Sequence, residues 1–464
     1  MKNLPLLKIL ILALGLGILS GCAHYHLEAG AGQDQVKDPL PAASGVSTAQ
    51  AQAAGQKTLL NLWDVYALAV ARTESLAVTA ENLEQAEAQQ QQALGAWLPQ
   101  VGLVGQKNWV SGAYAQSGAG TVGSNAGGSL ALSGSETLLS GLDQVAALQG
   151  ASANIEAQRL AIRDASSRLL LSVAQSFYAV LQSQDALATD QQSRDLTAKI
   201  LDVQKKWVVI GRAQKSDMLN TTAQLAQLDA ALQADKSQLT QARETLAFLA
   251  GIQPDAQLDA TDENFAAPAY SLDDAVAKID GRPDVAAAKA AWDVAEAAVL
   301  QAHGKHLPTL VATGNYTLAA DGGNNPREWT VGLQASLPVF EGGQIVAQER
   351  EADSKRNQAK LIWSQTRRQA LEEIRQVYKG LHDALQQAAA YQAALDASQS
   401  AYDAIWHDYN LNLQTPLTLL QTQNNLETAK ANYVRARYQA LYDQVWLGVA
   451  LGDLPKLPAS RDQR

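Results

Sequence analysis

The stretch 142-LDQVAALQGASANIEAQRLAIRDASSRLLLSVAQSFYAVLQSQDALATDQQSRDLTAKILDVQKKWVVI-210 decides the fold. It contains one glycine, Gly150, and no proline. As a single α-helix it would reach roughly 100 Å, far beyond the needs of a globular core. A second copy follows at an offset of 201 residues: Leu170, Val173, Phe177, Val180 and Leu187 fall on Leu371, Ile374, Tyr378, Leu381 and Ala388. Both copies carry a seven-residue apolar repeat.

The same offset carries Ser140-Gly141 onto Glu341-Gly342, just before each helix. It carries Gly211 onto Asn412, residue types that tolerate the left-handed conformation ending helices. It also carries Leu219, Leu225 and Gly251 onto Leu420, Leu426 and Gly452. The chain is therefore an internal duplication of a long helical hairpin.

Upstream of each long helix the halves agree again. Asn61 is the expected N-cap of a helix from Leu62 to about Gly95, and Ser271 of one from Leu272. The first ends in Leu98-Pro99 and the second in Leu307-Pro308, and the hydrophobic period then changes. Leu310, Ala312, Gly314, Tyr316 and Leu318 alternate with Val311, Thr313, Asn315 and Thr317. After Asp321–Pro326, an apolar set from Trp329 through Val331, Leu333, Ala335 and Leu337 to Val339 alternates with Thr330, Gly332, Gln334 and Ser336. This predicts a hairpin with one apolar and one polar face, suited to a transmembrane barrel or to the edge of a soluble sandwich. Residues 101–110 and 129–139 are its counterpart in the first half. Each half thus reads helix, strand, strand, long helix, turn, helix, over 58–252 and 271–453; 253–270 connects them and 454–464 is a tail.

Lys2 and Lys8 flank an apolar run that closes in Leu19-Ser20-Gly21-Cys22, the form of a secretory signal. Residues 1–21 are expected to be removed, and 22–57 to form an extended arm. The mature chain then has 34 basic and 46 acidic residues, a net charge of −12 that disfavours nucleic acid. A single cysteine excludes an internal disulfide. His303 and His306 have metal-ligand spacing on one helical face but no third ligand nearby in sequence. Neither a catalytic constellation nor a cofactor motif stands out, and no enzyme is expected.

These residues together resemble the TolC family of outer membrane factors, in its lipidated OprM-like branch. The duplicated layout, the two Leu-Pro steps and Ser336-Leu337-Pro338-Val339-Phe340-Glu341-Gly342-Gly343 carry the likeness, over about residues 58–453. The resemblance implies a mixed, mainly α fold: a periplasmic tunnel of long antiparallel helical hairpins below a transmembrane β-barrel with four strands per protomer, twelve in a homotrimer. It implies lipid attachment at Cys22 and, with Ala23 following, an outer-membrane address. It further implies a passive export conduit, within a tripartite efflux or type I secretion system, working with a periplasmic adaptor and an inner-membrane pump.

The periplasmic gate would lie at the turns 211–217 and 412–418. Family members commonly place carboxylates six and nine residues after the second turn's glycine; here Thr418 and Gln421 stand there, which puts an acidic ring in doubt. Asp217 is the first-half equivalent of position six, and Tyr409 matches a family tyrosine. Asp217 either caps the following helix or lines the bore, and both roles are compatible. A periplasm-spanning lipoprotein without a pore is the rival reading; the alternating hairpins count against it.

Overall fold

The computed structural model describes residues 46–108, 127–212, 214–259, 271–320, 328–411 and 413–452. Cys22, Asn412, most of both hairpin loops and the tail lie outside the described residues. In chain order the elements are α1 (Thr48–Gly55), β1 (Leu59–Leu60), α2 (Leu62–Arg72), α3 (Glu74–Gly95), β2 (Gln100–Asn108), β3 (Gly127–Ser140), α4 (Asp143–Val209), α5 (Lys215–Ala250) and β4 (Gln257–Leu258). The second half adds α6 (Leu272–Ala277), a 3-10 turn (Ile279–Gly281), α7 (Pro283–Gly304), β5 (Thr309–Ala320), β6 (Trp329–Ser336), α8 (Gln344–Asn410) and α9 (Pro416–Ala450).

The two long helices, α4 and α8, have 67 residues each. Helices in proteins draw most of their stability from packing an apolar face, so their neighbours must hold them. Near the sheet α4 lies against α3 and α7; toward the far end it lies against α5 and α9. The heptad positions form the seam: Val173, Phe177, Val180 and Ile374 are fully buried, as nearly is Leu381. Among the described residues, the two largest of four apolar clusters lie here. One joins α2 to α4 with Leu246, Tyr438 and Leu441; its counterpart joins α7 to α8 with Leu447 and Leu451.

Three sequence expectations need correction. The arm is not extended throughout: Ser47 and Gln50 form a capping box, and α1 buries Ala51 and Ala54, with Val46 beside it. The short-helix segment of each half is broken in two. At Thr73 the backbone turns extended (ψ 115°), and at Arg282 it does so again (ψ 138°) because the next residue is Pro283. The last strand ends at Ser336, so Leu337 and Val339 lie beyond it. Asn61 and Ser271 do cap, each through a capping box with Asp64 and Asp274.

The second break is held by a cluster of ion pairs and hydrogen bonds around Arg282. Arg282, 8% exposed, forks onto Asp284 at 3.0 and 2.9 Å and reaches Glu373 at 2.7 Å. It also donates to the Ala450 carbonyl at 3.1 Å, while Trp446 Nε1 donates to the other Glu373 oxygen at 2.9 Å. Burial alone would lower the Arg282 pKa, but Asp284 and Glu373 outweigh it and raise it. β1 and β4 pair in parallel nearby, tying the segment before α2 to the connector after α5.

The four longer strands form one antiparallel sheet in the order β2-β3-β5-β6. Each turn from helix to strand is tight. A side chain on Gly141 (φ 64°) would collide with the Gly304 carbonyl, so the two helix–strand junctions approach as only glycine permits.

Candidate functional site

Two regions follow from this frame: the sheet at one end and the helix turns at the other. In the sheet the cross-strand register sorts side chains by face, because directly opposed residues point the same way. Leu103, Leu132, Tyr316 and Trp329 form one continuous row across all four strands. Val101, Gly134, Gly314 and Val331 form the next row on that face. Between them lie Gly102, Ser133, Asn315 and Thr330, and beyond them Gln100, Ser135, Thr313 and Gly332, on the opposite face. One face is thus apolar and the other polar over both repeats. The charged exceptions on the apolar side are Lys107, opposite Gly128, and Glu136, opposite Ala312 toward the helices; Val104 and Val311 are apolar residues on the polar side.

Apolar residues on this sheet are open in the single chain: Val331 is 73% and Leu333 69% exposed. A soluble sandwich would cover them with a second sheet, and among the described residues no such layer exists. Among the described residues no helix is long and apolar enough to cross a membrane. Leu98, Leu307, Val339 and Phe340 are also exposed where helices give way to strands. Pro99 and Pro308 stand just before β2 and β5, and Pro338 follows β6; Gly342 and Gly343, both with positive φ, lead into α8.

At the opposite end the two turns repeat one geometry. Arg212 N donates to the Trp207 carbonyl at 2.8 Å, and at the same offset Leu413 N donates to that of Asp408 at 2.9 Å. Gly211 takes the left-handed conformation (φ 72°) that this closure requires. Of the gate candidates, Tyr409 is buried at 1% exposure, with its ring 5.4 Å from Trp207. Burial chiefly, and the charge of Asp217, push its phenol pKa up, with the Gln204 side chain opposing. Asp217 and Tyr409 therefore sit in one electrostatic neighbourhood. Asp217 lies in the first turn of α5, where a negative charge suits the helix dipole; the N-cap is Gln214, which makes no side-chain cap bond. Thr418 is engaged by the Thr415 cap (N to Oγ1, 3.2 Å), and Gln421 is exposed.

Sequence reading missed a polar interior near this end. Asp190 on α4 hydrogen-bonds Asp235 on α5 with Glu427 of α9 close by; burial, that bond and the two neighbouring charges raise its pKa to about 6. Gln423 of α9 is buried and donates to the Ser193 carbonyl and to Thr197 Oγ1. These polar residues occupy core-facing positions, and only a helix-packing register would have exposed them. His303 and His306 both face Glu349 on α8, which accounts for their spacing through a shared carboxylate. Among the described residues no group of three metal-ligating side chains is placed to hold an ion.

The comparisons with known proteins agree with this layout. The family model described as "Outer membrane efflux protein" matches residues 65–252 and 277–453, the two repeats. The chain is 26% identical over 303 residues to the outer membrane protein TolC of Escherichia coli (strain K12), covering 62% of each. It is 24% identical over 290 residues to the alkaline protease secretion protein AprF of Pseudomonas aeruginosa, covering 60% of each. The matched part therefore spans less than two thirds of these relatives. Among solved structures, the outer membrane protein VceC of Vibrio cholerae superposes with a TM-score of 0.74 at 20% identity, covering 84% of this chain and 96% of that one. The Neisseria gonorrhoeae MtrE outer membrane channel gives 0.71 at 19%, covering 85% and 90%. With its two repeats each matched and its fold shared with these channels, the chain belongs to the outer membrane efflux protein family.

Proposed function

We propose that the protein is the outer-membrane channel of a tripartite efflux or type I secretion system, a passive conduit for small toxic compounds across the periplasm. The observation that carries this reading is the two-faced sheet at one end of the long helices. Four strands cannot close a barrel, and open edges are not tolerated in lipid. A homotrimer would supply twelve strands, with the apolar rows toward lipid and the polar rows toward the lumen. The helices, α4 and α8 among them, would continue the bore through the periplasm.

The remaining assignments rest on this one. Cys22 would anchor the mature chain to the outer membrane through lipid. The turns around Gly211 and Asn412 would form the periplasmic gate, with Asp217, Tyr409, Thr418 and Gln421 near it. An adaptor and an inner-membrane pump would supply energy and selectivity, so this chain needs no catalytic group. Deleting the gene should raise intracellular accumulation of a fluorescent pump substrate, and re-expression should reverse it. Unchanged accumulation for every substrate of the cell's pumps would refute the conduit reading.

A further inference from the structure

Between α4, α8 and α9, one stretch above the turns, lies a small cavity of about 30 Å³. Its lining includes Ser193 from α4, Tyr402 from α8, and Gln423, Glu427 and Lys430 from α9. Two of these side chains bring buried polar atoms with no protein partner. Tyr402 is 6% exposed and its hydroxyl is unpaired; Gln423 is 2% exposed and its Oε1 is unpaired.

The orientation of the Gln423 amide is fixed by its neighbours. Its Nε2 lies 2.9 Å from the Ser193 carbonyl, 3.0 Å from Thr197 Oγ1 and 3.1 Å from Glu427 Oε1. A carbonyl and a carboxylate only accept, so the nitrogen must face them and the oxygen is left over. A buried acceptor and a buried hydroxyl left unpaired each cost free energy, and native proteins rarely leave such groups bare.

We propose that this cavity is a binding site for one ordered water molecule, which donates to Gln423 Oε1 and bonds the Tyr402 hydroxyl. The volume suits a single water, which needs roughly 10–15 Å³ and at least two polar partners. The charge of the lining favours a neutral occupant over an ion. Glu427 is matched by Lys430, whose ammonium is already held by Gln192 Oε1 at 3.0 Å. The water would join α8 to α9 at a layer where α9 is itself bonded to α4. It thus hydrates the hairpin of the second repeat beside that direct bond to the first, in contrast to the apolar seam at Val173 and Phe177.

X-ray hydroxyl-radical footprinting of the full-length protein in detergent tests this, because a bound water generates radicals beside a side chain that bulk solvent does not reach. Tyr178, 4% exposed, serves as the internal control. Tyr402 should be oxidised several-fold faster than Tyr178, and Gln423→Met should bring it down to the control rate. Equal protection of the two tyrosines in the parent protein would overturn the site. Undiminished labelling of Tyr402 in a folded Gln423→Met variant would overturn the role given to Gln423.

Discussion

Leu132 of the first repeat is paired directly with Tyr316 of the second, so the two halves of the duplication share one sheet and one facial register. That pairing fixes which residues of β6 share a side with Leu132. Replacing Val331 or Leu333 with Arg should cost about 2–4 kcal/mol near the bilayer midplane and lower the yield of assembled protein. Thr330→Arg and Gln334→Arg, on the polar face, should assemble far better. Heat-modifiable mobility of outer-membrane fractions on gels reads the difference; equal damage from both faces would invert or abolish the assignment.

The break before α7 depends on Arg282. Its removal leaves Glu373 and Asp284 half-buried without their cation, and strands the Ala450 carbonyl. Arg282→Met should therefore destabilise the fold by about 3 kcal/mol, at the lower end for broken buried pairs because Glu373 retains some solvent contact. The shift of the thermal or denaturant midpoint checks this. The exposed pair Arg194–Asp229, at 3.0 Å, provides the contrast: Arg194→Ala should change the midpoint little.

Asp190 gives a pH dependence of definite sign. Folding raises its pKa from 3.8 to about 6, so the folded chain holds a proton that the unfolded chain has released. Stability must then fall as pH rises from about 4 to about 6, and stay reduced above that. Asp190→Asn should leave stability near pH 4 unchanged and raise it above about pH 6. Melting curves of both proteins at the two ends of this range measure it; a gain confined to the acid end would contradict the assignment.

At the turns, Asp217 is the carboxylate whose charge acts on the Tyr409 phenol. If it faces the bore, Asp217→Asn should lower cation selectivity in single-channel recordings and leave assembly intact. Thr418→Asp should raise cation preference by adding a second ring, at the expense of the contact with Thr415. Unchanged selectivity in both variants would move the constriction away from these turns.

The architecture was legible because the duplication repeats chemistry at a fixed offset. The heptad positions around Val173 and Ile374 became the core, the Leu-Pro steps became helix–strand junctions, and Asn61 and Ser271 became caps. What stayed hidden has a physical reason in each case. Thr73 breaks a helix without proline or glycine, where the Arg72 side chain packs against Gly251. The α1 helix is short and weakly amphipathic, so only its Ser47–Gln50 box marked it. Polar residues such as buried Gln423 and half-buried Asp190 resemble a solvated helical face until the neighbouring helices are known. At the turns, the burial of Tyr409 near the Asp217 charge and the hold of the Thr415 cap on Thr418 emerge only with the fold, while Gln421 is exposed in the single chain.

The account stands on four strands being too few. Native mass spectrometry of the mature protein released from outer-membrane detergent micelles tests this most directly. The expected species is three copies of the chain, each carrying the mass of a lipidated Cys22 terminus, which would close twelve strands. A folded single chain as the dominant species would contradict the barrel, and with it the conduit.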